Sequence, residues 1–570
     1  MGKTLISEQT KDKPGLRIRT LLIAVPIGVV AAMVTFMFRL AIEGLTRVIF
    51  GTSVDITQAM PRYPVYLWPL VVGAGGVIAG LFMAAARRIE KQEKLSTDYL
   101  QVLGAQINRL PVRTSLLRGL SSLSSIATGA SVGREGPMVQ FAALAGSLIG
   151  KHLLKLPVYR RGDIIAMAAA GGLASVYHAP LASAIFVAEI AFGVTALQRV
   201  IPLIIASGSA MIALWLLGYR SSLYPLSTTP FTFSLSALVL TVAIGLVAAL
   251  VGLALLYLIE RSKKLFSGVA SLPLRLGAGG VLVGVLALAT PDILGNGYDV
   301  LTRIMSGDAL TYSLALLLAL KIIATALSAG SGASGGLFTP SLLIGALLGI
   351  LMAIAARELG IDAGPAVLFG AIGMASVLSA VTQAPLMAML MVLEMTLNSG
   401  LLFPMMLATV LAAAIAHRVK FYGAYSGMQA HFHRAEAKYD FDTTLIAELV
   451  VPGLTFAPDE PVEKALKASI ASQLRYVYIT DNDGRFLGVV SIHDIADKVF
   501  NKIITADAPM QCVLNRHFPV VYDTQTLQEG WQAFRSTNYE RLPVLNNPTE
   551  RKLLGALSKT SLIGKVAGFL

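Results

Sequence analysis

The residue best placed to do chemistry in this sequence is Glu135, a carboxylate framed by glycines inside a long apolar stretch. It stands in Gly133-Arg134-Glu135-Gly136-Pro137, with Ala130-Ser131-Val132 before it and Met138-Val139-Gln140-Phe141-Ala142 after it. An ionisable side chain at the centre of a bilayer costs about 2.5 kcal/mol or more, so one kept there marks a transport pathway. The flanking glycines let the backbone leave helical geometry and bring N–H groups close to an ion. A second glycine-rich stretch ending in proline, Gly330-Ser331-Gly332-Ala333-Ser334-Gly335-Gly336-Leu337-Phe338-Thr339-Pro340, follows later. Both read as helix N-termini with proline in the first turn, where its missing N–H is no loss.

A helix N-terminus carries unpaired N–H groups and about half a positive charge. Two such ends meeting inside a membrane make an anion site without a full cation. Cation binding would favour clustered carboxylates, and those of the apolar region are scattered. Beside an anion site, an ionised Glu135 competes for the same donors, and a protonated one releases them. It can serve as a gate, a proton acceptor or both. The alternative is an Arg134–Glu135 pair that merely closes the loop, but adjacent residues rarely face each other on a helix.

The elements that must hold these residues follow from composition. Of 570 residues 55% are hydrophobic and only 14% charged, and a soluble chain is nearer a quarter charged. Mean hydropathy is +0.69. Apolar runs of spanning length recur from Leu21 to His417, which predicts an all-α polytopic membrane domain. After Arg418 charges, turn residues and alternating strands replace them. The net charge of +13 could point to nucleic acid, but no nucleic-acid motif occurs and the basic clusters flank apolar runs. Lys11, Lys13, Arg17 and Arg19 form one, Arg87, Arg88, Lys91 and Lys94 another, and Arg160 and Arg161 a third. The positive-inside pattern places the N-terminus and the tail in the cytoplasm. The segment from Leu21 has no cleavage-site pattern and reads as the first membrane helix.

No catalytic residues, metal or cofactor are assigned. Cys512 is the single cysteine, so neither an intrachain disulfide nor a cysteine metal site is available. His152, His178 and His417 are the histidines of the membrane half, and none makes a metal spacing with an acid. That leaves a membrane-embedded acid–base enzyme without a second polar partner.

The membrane half contains a repeat. Ser175-Val176-Tyr177-His178-Ala179-Pro180-Leu181 leads to Glu189, and Ala380-Val381-Thr382-Gln383-Ala384-Pro385-Leu386 leads to Glu394 at the same spacing. A glycine-rich stretch precedes each copy. Duplicated halves with interrupted helices at matching positions are the pattern of repeat-built transporters, whose substrate binds at the midplane. The expected fold is therefore two inverted-topology repeats of tilted, broken helices. Glu189 and Glu394 read best as scaffolding, each accepting N–H groups from a neighbouring glycine-rich loop. Lys321, alone among apolar neighbours, either snorkels to the interface or adds positive potential near the anion path.

These residues resemble the chloride-channel (CLC) family of anion channels and proton-coupled antiporters over roughly Arg17 to Gln429. Gly133-Arg134-Glu135-Gly136-Pro137 looks like the family's gating-glutamate motif, which implies that Glu135 is the gate and that Gly133, Arg134 and Gly136 border the anion. Gly335-Gly336-Leu337-Phe338-Thr339-Pro340 looks like the second-repeat motif, which implies anion binding at Gly336 and by the N–H groups of Leu337 and Phe338. Tyr425, in Gly423-Ala424-Tyr425-Ser426, matches the pore tyrosine. Two departures stand out. The region of the family's first Gly-Ser-Gly-Ile-Pro motif reads Glu93-Lys94-Leu95-Ser96-Thr97-Asp98-Tyr99-Leu100, with no glycine, so its serine is unassigned although Ser96 is near. This resembles the divergent bacterial ClcB-type branch. The antiporters' inner proton glutamate should directly follow Glu189, and that residue is Ile190, which cannot relay a proton. The resemblance implies a voltage-gated-type chloride channel or, alternatively, a proton-coupled antiporter. It also implies a homodimer in the bacterial inner membrane, with chloride or a similar small anion as the transported ion.

The tail contains two similar units. Arg475-Tyr476-Val477-Tyr478-Ile479-Thr480 and Phe486-Leu487-Gly488-Val489-Val490-Ser491 flank a turn at Asp483-Gly484, and Arg541-Leu542-Pro543-Val544-Leu545 and Leu553-Leu554-Gly555-Ala556-Leu557-Ser558 repeat the pattern. Each reads as strand, turn, strand, helix, and the pair resembles CBS domains. That resemblance implies either an adenine-nucleotide site at Ser491 and Asp494 or a purely structural, dimer-stabilising pair. The second copy has Ser558 but Ser561 in place of the acid. The expected divisions are a segment 1–19, a membrane domain 20–429, a linker 430–449 and a CBS pair 450–570, split as 450–502 and 506–567.

Overall fold

The structure is a computed structural model. It describes residues 18–52, 54–93, 98–104, 109–156, 158–191, 197–219, 222–226, 229–307, 313–419, 444–472, 474–535, 537, 539–559 and 562. The chain forms two compact units, Met1–Gln429 and Ala430–Leu570.

The regular elements of the first unit are all helices among its described residues. Its first half holds α1 (Ile18–Phe50), α2 (Ile56–Ala59), α3 (Leu67–Glu93), α4 (Tyr99–Gly104), α5 (Val112–Ala127), α6 (Glu135–Leu148), α7 (Val158–Tyr177), α8 (Pro180–Ala191) and α9 (Leu197–Leu216). Its second half holds α10 (Leu235–Ser267), α11 (Leu272–Leu286), α12 (Tyr298–Met305), α13 (Leu314–Ser331), α14 (Phe338–Glu358), α15 (Ala366–Thr382), α16 (Pro385–Thr396) and α17 (Leu402–Arg418). Among the described residues six helices, α1, α3, α10, α13, α14 and α17, are long and apolar enough to cross a membrane. Others, such as α8, α11, α15 and α16, are as apolar but too short to span alone. These are the broken helices that the glycine and proline punctuation predicts.

The two halves match. In both repeats the Ala-Pro-Leu helix follows a left-handed residue, His178 at φ 53° and Gln383 at φ 59°. Neither is glycine, so the turn is held by its surroundings and not by local preference. The helix pairs α6/α7 and α14/α15 pack alike, and α8 packs on α16. Of the six spanning helices, α14 is the central one: 78% of its most apolar window is buried, against 33–44% in the others. It crosses α15 at glycines. A Cβ on Gly373 would fall 2.1 Å from the Gly345 carbonyl oxygen, and one on Gly345 would fall 2.3 Å from the Gly373 oxygen. Small residues at a crossing let membrane helices approach closely and gain packing that lipid cannot supply.

The second unit has two three-stranded sheets. β1 (Thr455–Phe456) pairs parallel with β2 (Tyr476–Thr480), which pairs antiparallel with β3 (Phe486–Ser491). β4 (Val521–Tyr522), β5 (Arg541–Leu545) and β6 (Leu553–Ser558) repeat this order. Helices α18 (Val462–Ser472) and α20 (Leu527–Arg535) link the first two strands of each sheet, and α19 (Ile492–Phe500) follows β3. Each copy thus opens with a short strand and a helix ahead of the strand–turn–strand core. Two residues are too weak a periodic signal to read from sequence. The registers repeat, Tyr476 opposite Ser491 and Arg541 opposite Ser558. The Phe486 N–H donates to the Arg551 carbonyl at 2.8 Å, which joins the two copies.

Candidate functional site

The two glycine-rich loops meet. The Gly133 N–H donates to the Gly336 carbonyl at 2.7 Å, and the Gly336 N–H donates to the Gly133 carbonyl at 2.9 Å. This short bridge sets the N-terminus of α6 against that of α14. Further ties fix it: the Ser131 N–H donates to Ser328 Oγ at 3.0 Å, and Ser122 donates to the Ser334 carbonyl. The close approach requires glycine. A Cβ on Gly133 would fall 2.0 Å from Glu135 Oε1, and one on Gly336 would fall 2.4 Å from it. A Cβ on Gly136 would sit a tight 3.3 Å from the Gly336 nitrogen. Gly133 and Gly336 thus spend their amides on each other and leave room for a carboxylate, instead of turning their own N–H groups to an ion.

That carboxylate is Glu135, at the first position of α6 and only 3% exposed. Its Oε1 accepts from the Phe338 N–H at 2.8 Å and the Thr339 N–H at 3.3 Å. Its Oε2 accepts from the Thr339 hydroxyl at 3.2 Å. The Tyr177 and Thr339 hydroxyls lie 3.0 Å apart. With the Thr339 proton given to Glu135, Tyr177 must be the donor to Thr339. A hydroxyl chain Tyr177, Thr339, Glu135 results. The Phe338 ring lies between Tyr177 and Phe186, at centroid distances of 6.1 and 5.2 Å. The carboxylate therefore caps α14, where the helix dipole and free N–H groups favour negative charge. Leu337 is the N-cap residue of α14.

Arg134 does not pair with Glu135. Its guanidinium lies over the Tyr298 ring, 4.8 Å from the centroid, as cation–π attraction favours. Tyr298 opens α12, and the same helix carries Arg303, which bridges Asp292 at 2.6 Å and Asp299 at 3.2 Å. Asp299 also accepts from Thr57 in α2. Lys321 in α13 is fully buried and donates to the Ile293 and Gly295 carbonyls, each at 2.9 Å. It ends on backbone inside the protein and does not snorkel. The Gly295 N–H in turn donates to the Gly129 carbonyl at 3.0 Å, ahead of the Glu135 loop.

Glu394 caps a helix and Glu189 faces one, and neither serves a glycine-rich loop. The Glu394 carboxylate accepts from the Leu181 N–H at 3.0 Å and the Ala182 N–H at 2.9 Å, at the start of α8. Glu189 faces the Met387 N–H at the start of α16. Glu394 thus caps the other repeat's helix, where the macrodipole rewards it, while Glu189 faces the matching helix start with its Oε2 buried and without a hydrogen-bond partner among the described residues. Periodicity within one helix carries no information about this crossed pairing.

Tyr425 and Ser96 lie outside the described residues. Ile190 falls in the last turn of α8. Asp98 caps α4 through the Leu100 N–H at 2.9 Å. In the tail Ser491 is the N-cap of α19, and Asp494 is exposed in its first turn. The sequence reading missed Tyr177 and Thr339 as partners of Glu135. Their signal was weak: each sits in one of the two repeated motifs as a hydroxyl among apolar residues.

With this geometry in view, the relatives are informative. Residues 75–417 match the family model described as voltage gated chloride channel, and residues 446–501 and 511–568 each match that of the CBS domain. A putative chloride channel protein, ClcB-like, from Ralstonia nicotianae is 37% identical over 372 residues, covering 64% of this chain and 86% of the relative. A voltage-gated ClC-type chloride channel ClcB from Salmonella dublin is 35% identical over 376 residues, covering 64% and 88%. Among solved structures, a slow cyanobacterial Cl-/H+ antiporter superposes with a TM-score of 0.63 at 21% identity, covering 74% of this chain and 98% of its own. A eukaryotic CLC transporter gives 0.61 at 19% identity and covers 95% and 98%. The chain is a multi-pass membrane protein that belongs to the voltage-gated chloride channel (CLC) family and carries a CBS pair after its membrane unit.

Proposed function

We propose that this protein moves chloride or a similar small inorganic anion across the membrane, with Glu135 as the gate and passive conduction as the mode. The observation that carries this reading is the Glu135 carboxylate on the Phe338 and Thr339 N–H groups. A carboxylate held there is a tethered anion, and a free one takes its place when the side chain leaves. Ile190 favours uncoupled conduction, because the position after Glu189 holds no titratable group. The names of the ClcB relatives agree.

One observation favours the second reading, a proton-coupled antiporter. The chain Tyr177, Thr339, Glu135 ends on a protonatable carboxylate, which a coupled exchanger needs. The deciding experiment is anion efflux from liposomes with a pH probe inside. Chloride efflux without proton movement is the expected result. Uphill proton movement in fixed ratio to chloride overturns the passive mode in favour of antiport.

The same reading includes a homodimer in the bacterial inner membrane, with the N-terminus and tail in the cytoplasm as the basic flanks suggest. It also includes an adenine nucleotide at Ser491 and Asp494, one turn apart at the start of α19. A nucleotide-dependent rise in the melting temperature of the tail, lost in Asp494→Ala, is the expected result.

A further inference from the structure

The membrane unit has a second concave site, at the other end of α6 from Glu135. At about 1.5 Å per residue the helix sets the two about 20 Å apart. A cavity of about 330 Å³ opens where the start of α5, the end of α6 and the start of α7 come together. Four cations line it, Arg109, Arg113, Lys151 and Arg161, with Pro111 and Leu148 as apolar wall. None of the described residues that line it is acidic. Arg161 is braced by donating from Nε to the Leu156 carbonyl at 2.9 Å. Lys151 sits in a π turn, Ile149–Leu153, that extends α6. The Leu110 N–H points to Ser147 Oγ at 3.4 Å and ties the chain before α5 to the end of α6.

Four like charges in one concavity repel each other, and a low-dielectric wall strengthens that repulsion. An anion relieves it. A second feature says which anion. Val112, Leu116 and Leu120 fall at i, i+4 and i+8 on α5 and form one stripe leading away from the cavity. They are 38%, 46% and 43% exposed. A cationic cup continued by an apolar stripe matches an amphiphile. The basic flanks assign this end of the unit to the cytoplasmic face, where anionic lipids attract lysine and arginine.

We propose that this cavity binds the phosphate headgroup of an anionic phospholipid, whose acyl chain lies along Val112, Leu116 and Leu120. Free phosphate meets the same cations but makes no use of the stripe, so the two sources can be told apart.

The test uses the full chain in phosphatidylcholine micelles and follows thermal melting as phosphatidylglycerol, further phosphatidylcholine or inorganic phosphate is added. Phosphatidylglycerol alone is expected to raise the melting temperature. Arg109→Gln and Lys151→Gln each weaken its apparent affinity about fivefold, as loss of one cation near a membrane surface does. Arg87→Gln removes an equal charge on α3, outside the cavity, and leaves the affinity unchanged. Leu116→Ser weakens the lipid response too. Lys151→Arg keeps the charge and binds as the wild type does, so a Lys151→Arg variant as weak as Lys151→Gln reads packing loss and overturns the proposal. An equal response to inorganic phosphate overturns the lipid assignment. Unchanged lipid affinity in Arg109→Gln and Lys151→Gln overturns the site itself.

Discussion

At the scale of residues, the central fact is how Glu135 is held. Three donors, two of them amides at a helix N-terminus, converge on a buried carboxylate. Hydrogen bonds to a charged group are worth about 1.5–3 kcal/mol, roughly twice neutral ones. Glu135→Gln keeps the shape but loses the charge, so its hold on α14 weakens. The expected outcome is anion efflux that persists while its dependence on pH and voltage disappears. Efflux that stops altogether would show that Glu135 is needed for conduction and is not a gate. Thr339→Val removes the hydroxyl that donates to Glu135 and accepts from Tyr177. Loss of about 1.4 kcal/mol from the closed state raises the open fraction about tenfold, read as faster chloride efflux from liposomes at neutral pH. Unchanged efflux would count against a gate held by the Thr339 hydroxyl. Glu135 stood out as a charge among apolar residues, and the bland alternative, a loop pair with Arg134, is not the contact that forms. Tyr177 and Thr339 were not legible, because a tyrosine and a threonine in apolar helices are unremarkable until the fold sets their hydroxyls together.

At the scale of elements, two helix-level devices carry the architecture. The first is the crossed placement of two glutamates, with Glu394 capping α8 and Glu189 facing the start of α16. Glu394 satisfies two N–H groups and faces a helix start, and loss of a helix cap costs about 0.5–2 kcal/mol. Glu394→Ala is expected to lower the melting temperature in detergent more than Glu189→Ala, whose carboxylate faces a single Met387 N–H. Equal losses would contradict the asymmetry of the capping. The second device is the α14/α15 crossing. A valine at Gly373 must displace the Gly345 backbone, because its Cβ would lie 2.1 Å from that carbonyl oxygen. Overpacking of this kind costs about 1–3 kcal/mol, and here it also spreads the helix that carries Phe338 and Thr339. Gly373→Val is expected to reduce both folded yield and efflux, with normal yield and normal efflux as the contrary result. The helices themselves, and their doubling, were legible from apolar runs and from the repeated Ala-Pro-Leu. Which helix caps which was not, because the partners lie in different halves of the chain.

At the scale of the whole molecule, the membrane unit leaves apolar side chains outward on the helices next to the crossed glutamates. Leu181 is 45%, Leu386 49% and Phe403 68% exposed. Lipid covers such a face, and so does a second copy. The homodimer proposed above is checked by the mass of the protein in detergent after subtraction of bound detergent. Twice the 60.2 kDa chain mass is expected, and a mass equal to a single chain overturns the dimer.

The sequence by itself determined the class of this protein: a membrane protein built from two similar halves, a tail of two similar units, and one carboxylate set among glycines in an apolar stretch. Those properties follow from hydropathy and from local spacing, which any stretch of chain expresses alone. Only the tertiary structure decided the partners. It joined Gly133 to Gly336, turned Arg134 to Tyr298 and not to Glu135, ended Lys321 on two carbonyls, and crossed Glu189 and Glu394 between halves. The physical reason is common to all of them. A buried polar group must be satisfied, but which distant group satisfies it depends on where the packed helices come to rest, and no local pattern carries that information.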